Sequence, residues 1–308
     1  MKPLIVGTRG SALALAQAEM TEAILRSVYP DREIVRKVIT TTGDRRTDVP
    51  LSQVAKVEGE LDKGVFTKEL EVALENDEID LAVHSMKDVP TVLAPHFEIV
   101  GALERAPVSD VIISSQPGGL DALPQGATVA TSSVRRQRQL QWLRPDLKLT
   151  DIRGNVPTRL QKLRDNDELD AIMLAEAGLV RLGYDLDSEM DGLFAKALDA
   201  ATFYPAAGQG IVGFEIRKDD VDARACAEAI THQPSMILCR AEREFLRLLD
   251  AGCHTPVGVR SWMDGEVLHM AGRVFDEENA TADSAESTAE GDVNLPEEVA
   301  AKLFSQLV

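Results

Sequence analysis

The sequence predicts an α/β protein, with two similar strand–helix lobes facing a cleft and then a smaller α+β unit. Three observations carry this. Apolar, β-rich runs alternate with amphipathic helical runs through most of the chain. The two halves of that region echo each other: "IVGTRGSALAL" and "TVATSSVRRQR" are each a strand ending in small polar residues at a helix start, and "IDLAVHSMKDVP" parallels "LDAIMLAEAGLV". The length, 308 residues, suits two or three domains of roughly 100–200 residues, each large enough to bury a core without staples.

The elements follow in order. "PLIVG" opens as a strand, and Ser11 caps the alanine-rich helix "ALALAQAEMTEAILRSV". "EIVRKVIT" (33–40) alternates as a strand. Residues 41–64 carry Gly, Pro and charge and read as a long mobile loop, which in a compact domain is functional or disordered. "FTKELEVALEND" is an amphipathic helix, and "IDLAVHS" a mostly apolar strand of the kind found in covered parallel sheets. A second unit begins near residue 108. There "GATVATSS" is a strand, "SSVRRQRQLQWLRP" a capped helix ended by Pro145, "LKLTDIRG" a strand, "NVPTRLQKLRDND" a helix and "LDAIMLAEAG" an apolar strand. "ALERAP" (102–107) and "YPAAGQG" (204–210) are candidate hinges. From about residue 230 "SMILCRAEREFLRLLDAG" is a helix with a glycine stop, and "VGVRSWMDGEVLHMAGRVF" a hairpin turning at "DG". Residues 276–292 are polar and acidic and read as an exposed loop, and "PEEVAAKLFSQLV" closes as a helix. The expected domains are 1–103 with 209–228, 108–203, and 230–308.

Composition narrows the function. The formal net charge is -18, which disfavours nonspecific nucleic-acid binding. Arg outnumbers Lys, 22 to 11. Acid excess with little Lys resembles proteins of salt-rich cytoplasm, where screening removes self-repulsion, although an ordinary acidic cytosolic protein has the same look. Three cysteines without a CxxC pair suit a reducing compartment. Five scattered histidines predict no metal site. No apolar stretch reaches the roughly 18 residues of a membrane helix, so a cytoplasmic protein is expected.

Against that acidity, residues 128–164 hold nine Arg or Lys and only Asp146 and Asp151 as acids. Helix N-termini at strand carboxyl ends bind anions, and the arginine fork matches carboxylate and phosphate. Arg9 with Ser11 occupies one such junction, and Ser133, Arg135 and Arg136 another. Arg153 and Arg159 sit at a third, and Arg181 follows the apolar strand after it. These are candidate anion ligands, while Arg138, Arg144 and Arg164 read as a solvated helix face with surface ion pairs. Asp88 either caps the next segment or stands as the lone acid of a cationic cleft, where it would stay charged and stabilise a cation or move a proton. His84 reads as a satisfied strand-end histidine, and Cys226 and Cys239 as small core residues. Cys253, in a loop after Gly252, is either an idle thiol or one open to chemistry.

Eight stretches in order, "TRGSALALAQA", "KGVFTKELE", "DLAVHSMKDVP", "TSSVRRQRQL", "RGNVPTRLQKL", "AGLVRLG", "PAAGQG" and "AEREFLRLLDAGCHTPVG", resemble the porphobilinogen deaminases. The resemblance spans residues 8–258 and implies two periplasmic-binding-protein-like α/β domains around a cleft plus a smaller C-terminal α+β domain. It implies stepwise deamination and condensation of four porphobilinogen molecules on a dipyrromethane primer, then hydrolytic release of hydroxymethylbilane. By motif the primer is held as a thioether on Cys253. Asp88 matches the catalytic aspartate. Lys87, Asp88, Ser133, Arg135 and Arg136 match cofactor ligands, and Arg9, Ser11, Arg153, Arg159, Arg181 and Gln209 substrate ligands. No metal, nucleic acid or membrane is implied, and a monomer is expected. "VEGELDKG" (57–64) is longer than the family's usual glycine-rich stretch, with Lys56 and Lys63 as candidates to reach the cleft. Ala251 and His254 flank Cys253 where glycine and often glutamine are usual.

Overall fold

The computed structural model describes residues 2–41, 66–251, 255–276 and 284–307. Of the expected loop at 41–64, residues 42–64, with Lys56 and Lys63, lie outside the described residues, as does Cys253.

The first sheet begins with parallel strands β1 (Leu4–Arg9), β2 (Ile34–Ile39) and β3 (Leu81–Ser85). β4 (Phe97–Ala102) and β10 (Val212–Arg217) complete the order β2-β1-β3-β10-β4, with β10 antiparallel to β3 and β4. α1 (Ala12–Val28) and α6 (Val221–Ala229) cover one face, where Leu25, Ala223, Cys226 and Ala227 pack on Leu4, Val6, Val83 and Phe214. α2 (Lys68–Glu75) covers the other through Leu70, Ala73 and Leu74. Cover on both faces explains why β3 is nearly continuous in apolar residues.

The second sheet has the order β7-β6-β8-β5-β9. β6 (Thr128–Ala130) is parallel to β7 (Lys148–Thr150) and β8 (Ala171–Ala175), while β5 (Asp110–Ser114) is antiparallel to β8 and β9 (Phe194–Ala197). α3 (Val134–Leu143) packs Leu140 on one face, and α4 (Val156–Arg164) and α5 (Glu176–Arg181) pack Leu160, Leu163 and Leu179 on the other. The two sheets share a plan of three parallel strands followed by an antiparallel one. The echo between the two sequence halves therefore has a topological basis, since β1 and β6 occupy equivalent places, as do β3 and β8. The apolar strand expected through residue 178 stops at Ala175, where the chain turns into α5, opposite the start of β5 at Asp110.

β5 follows β4 but lies in the other sheet, and β10 follows β9 and lies back in the first, so the chain crosses between lobes twice. The crossings run side by side: Leu103 N–H donates to Val212 O (2.9 Å) and Ala106 N–H to Gly210 O (3.0 Å). Gly210 has φ +85°, and a Cβ there would lie 2.4 Å from Ala106 O, so only glycine fits.

The C-terminal unit packs α7 (Gln233–Leu248) and α8 (Pro296–Leu307) on an antiparallel sheet of β11 (Val257–Asp264), β12 (Val267–Val274) and β13 (Ala285–Asp292). Phe245, Val259, Met270, Ala289 and Leu303 form its core. The hairpin turns at Gly265–Glu266, one residue beyond the expected "DG", since Asp264 still pairs with Val267; Gly265 has φ +58°. β13 corrects the expectation of a loop across 276–292. Its polar residues face outward on an edge strand, and Ala289 is buried. A charged edge also resists pairing with other chains.

Candidate active site

Site residues stand where strands end. β3 runs into a 3-10 turn, Met86–Asp88, which presents Lys87 and Asp88. Asp88 is half-buried and 4.0 Å from the Arg9 guanidinium at the end of β1. Arg9 also lies 4.1 Å above the Phe66 ring, a cation–π contact. A cavity of about 50 Å³ is lined by Arg9, Ser11, Phe66, His84 and Asp88 among others. Ser11 caps α1, its Oγ accepting from Ala14 N–H at 3.3 Å, and its hydroxyl proton remains able to donate. His84 is buried and paired at 2.8 Å with the buried carboxylate of Glu215, which satisfies it as the sequence suggested.

Lys87 is exposed at the end of β3. Its ammonium is pushed down to about 8 by desolvation and by Arg136 and Arg135, against the opposing pull of Asp88 and Asp110. Arg159 is lowered to about 10 by desolvation, then by Arg136 and Arg153, with Asp88 opposing. Residues of both lobes therefore share one electrostatic field. Arg153 is lowered by desolvation. Arg159 Nε donates to Gly154 O (2.7 Å), and Lys162 Nζ to Arg153 O (3.0 Å). Arg181 is lowered to about 10 by desolvation. Its Nη2 donates to Gly210 O (2.7 Å), and its Nε is buried without a partner among the described residues. The lobes meet nearby, where Gly178 of α5 approaches Leu13 of α1.

Arg135 and Arg136 are buried, each 6% exposed, at the start of α3, which Ser133 caps. Their nearest anion is internal. Arg135 Nη1 donates to Asp110 Oδ2 and to Tyr204 O, both at 2.6 Å. Arg136 donates to Asp110 Oδ1 from Nε (2.9 Å) and Nη2 (2.7 Å), and to Met173 O (3.0 Å). Gln209 Nε2 also reaches Asp110, at 3.1 Å. Arg144 and Arg164 make the surface ion pairs expected of a solvated helix face, with Asp146 (2.8 Å) and Asp191 (3.4 Å), and they also reach backbone carbonyls. Arg144 binds the carbonyl of Leu120 at 2.8 Å, and Arg164 binds the carbonyl of Met190 at 3.1 Å. Each is drawn to carbonyls at a chain reversal that water alone would otherwise solvate.

Two further groups come from α7. Glu242, with no exposed surface, accepts from Arg105 Nη1 (2.8 Å) and Nη2 (3.0 Å), Gly208 N–H (2.7 Å) and Ser261 Oγ (2.6 Å). Arg243 donates to the carbonyls of Val89 (3.1 Å), Pro90 (2.7 Å) and Thr91 (3.3 Å), just after Asp88. The helix that leads to residue 253 thus grips both a crossing and the Asp88 segment. Asp110 carried no motif, and Glu242 and Arg243 lay within "AEREFLRLLDAGCHTPVG" without being singled out. The available signal was an ionic residue amid a buried strand or on the buried face of a helix.

The donor set is cationic, partly desolvated and balanced by few acids, with one buried guanidinium nitrogen unpartnered among the described residues. It suits a ligand carrying several carboxylates, as a dipyrrole with acetate and propionate arms would be. Fold and site define a two-lobed α/β protein whose cleft is lined with cations from both lobes. Residues 4–225 match the family model "Porphobilinogen deaminase, dipyromethane cofactor binding domain", and residues 236–308 match "Porphobilinogen deaminase, C-terminal domain". Porphobilinogen deaminase of Syntrophomonas wolfei is 44% identical over 274 residues, 89% of this chain and 85% of that one. That of Chlorobaculum tepidum is 42% identical over 300 residues, 97% and 91% of the two chains. Among solved structures, the BvgS VFT2 domain of Bordetella pertussis aligns with 14% identity and TM-score 0.44, over 78% of this chain and 92% of that one. The methionine-binding protein MetQ aligns with 14% identity and TM-score 0.43, over 74% and 88%. The chain belongs to the porphobilinogen deaminase family. Its activity is that of a transferase of tetrapyrrole biosynthesis, which deaminates and joins four porphobilinogen molecules with the aid of a dipyrromethane cofactor.

Proposed function

We propose that Asp88 is the catalytic carboxylate and that Cys253 holds the dipyrromethane through a thioether. Asp88 carries this reading, as an acid at a strand end within a field of Lys87, Arg9, Arg136 and Arg159. Loss of ammonia from porphobilinogen breaks a C–N bond, the nitrogen leaving with the electron pair, and puts positive charge on the pyrrole. A carboxylate held beside that ring stabilises the charge and accepts its N–H. When bound, the cofactor supplies the nucleophilic pyrrole carbon. Asp88 then helps remove the proton displaced from that carbon, which leaves with the ammonia as ammonium.

The remaining residues bind carboxylates. Lys87, Ser133, Arg135 and Arg136 take those of the cofactor, and Arg9, Ser11, Arg153, Arg159 and Arg181 those of substrate. Gln209 acts at the crossing. The division into 1–103 with 209–228, 108–203 and 230–308 follows the sheets and the two crossings. A cytoplasmic monomer that binds neither nucleic acid nor membrane agrees with the acidic surface, and among the described residues no helix is long and apolar enough to cross a membrane.

Intact mass tests the attachment. Protein made with pathway precursor should carry the mass of two pyrroles, and Cys253→Ser should lose it; an unmodified wild-type mass would refute it. Asp88→Ala should keep the fold and lose nearly all turnover, and near-normal porphobilinogen consumption would remove Asp88 from the chemistry.

A further inference from the structure

Asp110 opens β5, the first strand after the chain leaves the first sheet, and has no exposed surface. A lone carboxylate in such a place would neutralise. Instead it lies between two guanidiniums on consecutive residues, bonded to Arg135 Nη1 (2.6 Å) and to Arg136 Nε and Nη2 (2.9 and 2.7 Å). Neighbouring guanidiniums repel, and a shared carboxylate lowers that repulsion while fixing both planes. Burial opposes its ionisation, and the arginines outweigh that, holding its pKa well below the usual carboxylate range. It therefore remains an anion at working pH.

The same carboxylate reaches the second crossing. Gln209 Nε2 donates to Asp110 Oδ1 (3.1 Å) and to Val108 O (2.7 Å), although its own Oε1 is buried and unpartnered among the described residues. Asp110 itself ends the first crossing. A guanidinium has five N–H donors, and Asp110 and Tyr204 O engage Arg135 through Nη1, leaving the Nε–Nη2 edge of that fork to a ligand.

We propose that Asp110 is a positioning residue for the reaction: it orients the Arg135–Arg136 fork for the carboxylates of the pyrrole chain and couples that fork to both crossings between the lobes. This rests on Arg135 and Arg136 being carboxylate ligands. Movement of one lobe on the other would then be transmitted to the anion site through a single buried acid.

A double-mutant cycle in the full chain, made with pathway precursor, tests the proposal. Asp110→Asn should raise KM for porphobilinogen roughly ten- to a hundredfold, the worth of buried hydrogen bonds to a charged group. Its kcat should change less, and intact mass should show a smaller fraction carrying the dipyrrole. In an Arg136→Met background the same substitution should add little, because its effect passes through the arginines. Asp110→Glu keeps the charge but lengthens the arm by one methylene; an intermediate rise in KM, also lost in the Arg136→Met background, is expected even if Asp110→Asn fails to fold. Wild-type KM with full loading in Asp110→Asn would overturn the proposal, as would independent, multiplying effects of the two positions. If Arg135→Ala and Arg136→Ala load and bind as wild type, the ligand assignment itself is wrong, whatever Asp110 does.

Discussion

Glu242 offers the sharpest test of how the C-terminal unit is joined to the lobes. Its carboxylate, with no exposed surface, accepts four hydrogen bonds, two of them from Arg105, whose side chain is 9% exposed. Glu242→Ala would leave the Arg105 charge buried without its counter-ion, a change that costs about 3–5 kcal/mol. Unfolding entropy near 2.1 cal/mol/K per residue gives about 0.65 kcal/mol/K for a chain of this length, so Tm should fall by roughly 5–8 °C if the chain melts as one unit. Far-UV circular dichroism on heating measures it. Arg105→Leu combined with Glu242→Ala should melt higher than Glu242→Ala alone, because removing both charges spares the desolvation penalty of a lone one. A Tm for Glu242→Ala within a degree of wild type would refute the reasoning. So would a double variant whose loss equals the sum of the two single losses.

Two other outcomes follow from the same geometry. Lys87 titrates at about 8, protonated below and neutral above, so kcat/KM for the anionic substrate should fall as pH rises through that value. Its folded pKa lies below the unfolded value of about 10.4, so the unfolded chain binds more protons between the two, and this group adds stability as pH rises from about 8 to about 10. Lys87→Arg stays charged and should flatten the kcat/KM profile there; an unchanged profile would show that another group sets it. Gly210→Ala places a Cβ 2.4 Å from Ala106 O at φ +85° and should destabilise by at least about 1 kcal/mol. An unchanged urea midpoint would show that the crossings tolerate the shift.

What the sequence determined by itself was local. Ser11, Ser133 and Asn155 bond N–H groups three residues on, so their helices start where cap chemistry puts them. The strand-end placement of Arg9, Asp88, Arg135 and Arg153 also needed only neighbouring residues, and the eight ordered motifs carried the family. Tertiary structure decided what depends on distant chain. β4, β5, β9 and β10 had no assigned pattern because short strands are specified by their partners, and β10 pairs with residues more than a hundred positions earlier. Residues 285–292 read as solvent-exposed loop because one face of an edge strand does meet solvent, while the pairing that makes it a strand lies in β12. Arg135 and Arg136 were recognisable as anion ligands, but not that Asp110, 25 and 26 residues away, already binds them. A cap or a turn is settled by atoms within a few residues of it. A buried charge takes its partner from whatever the fold brings within hydrogen-bond reach, and that distance is fixed only once both sheets are built.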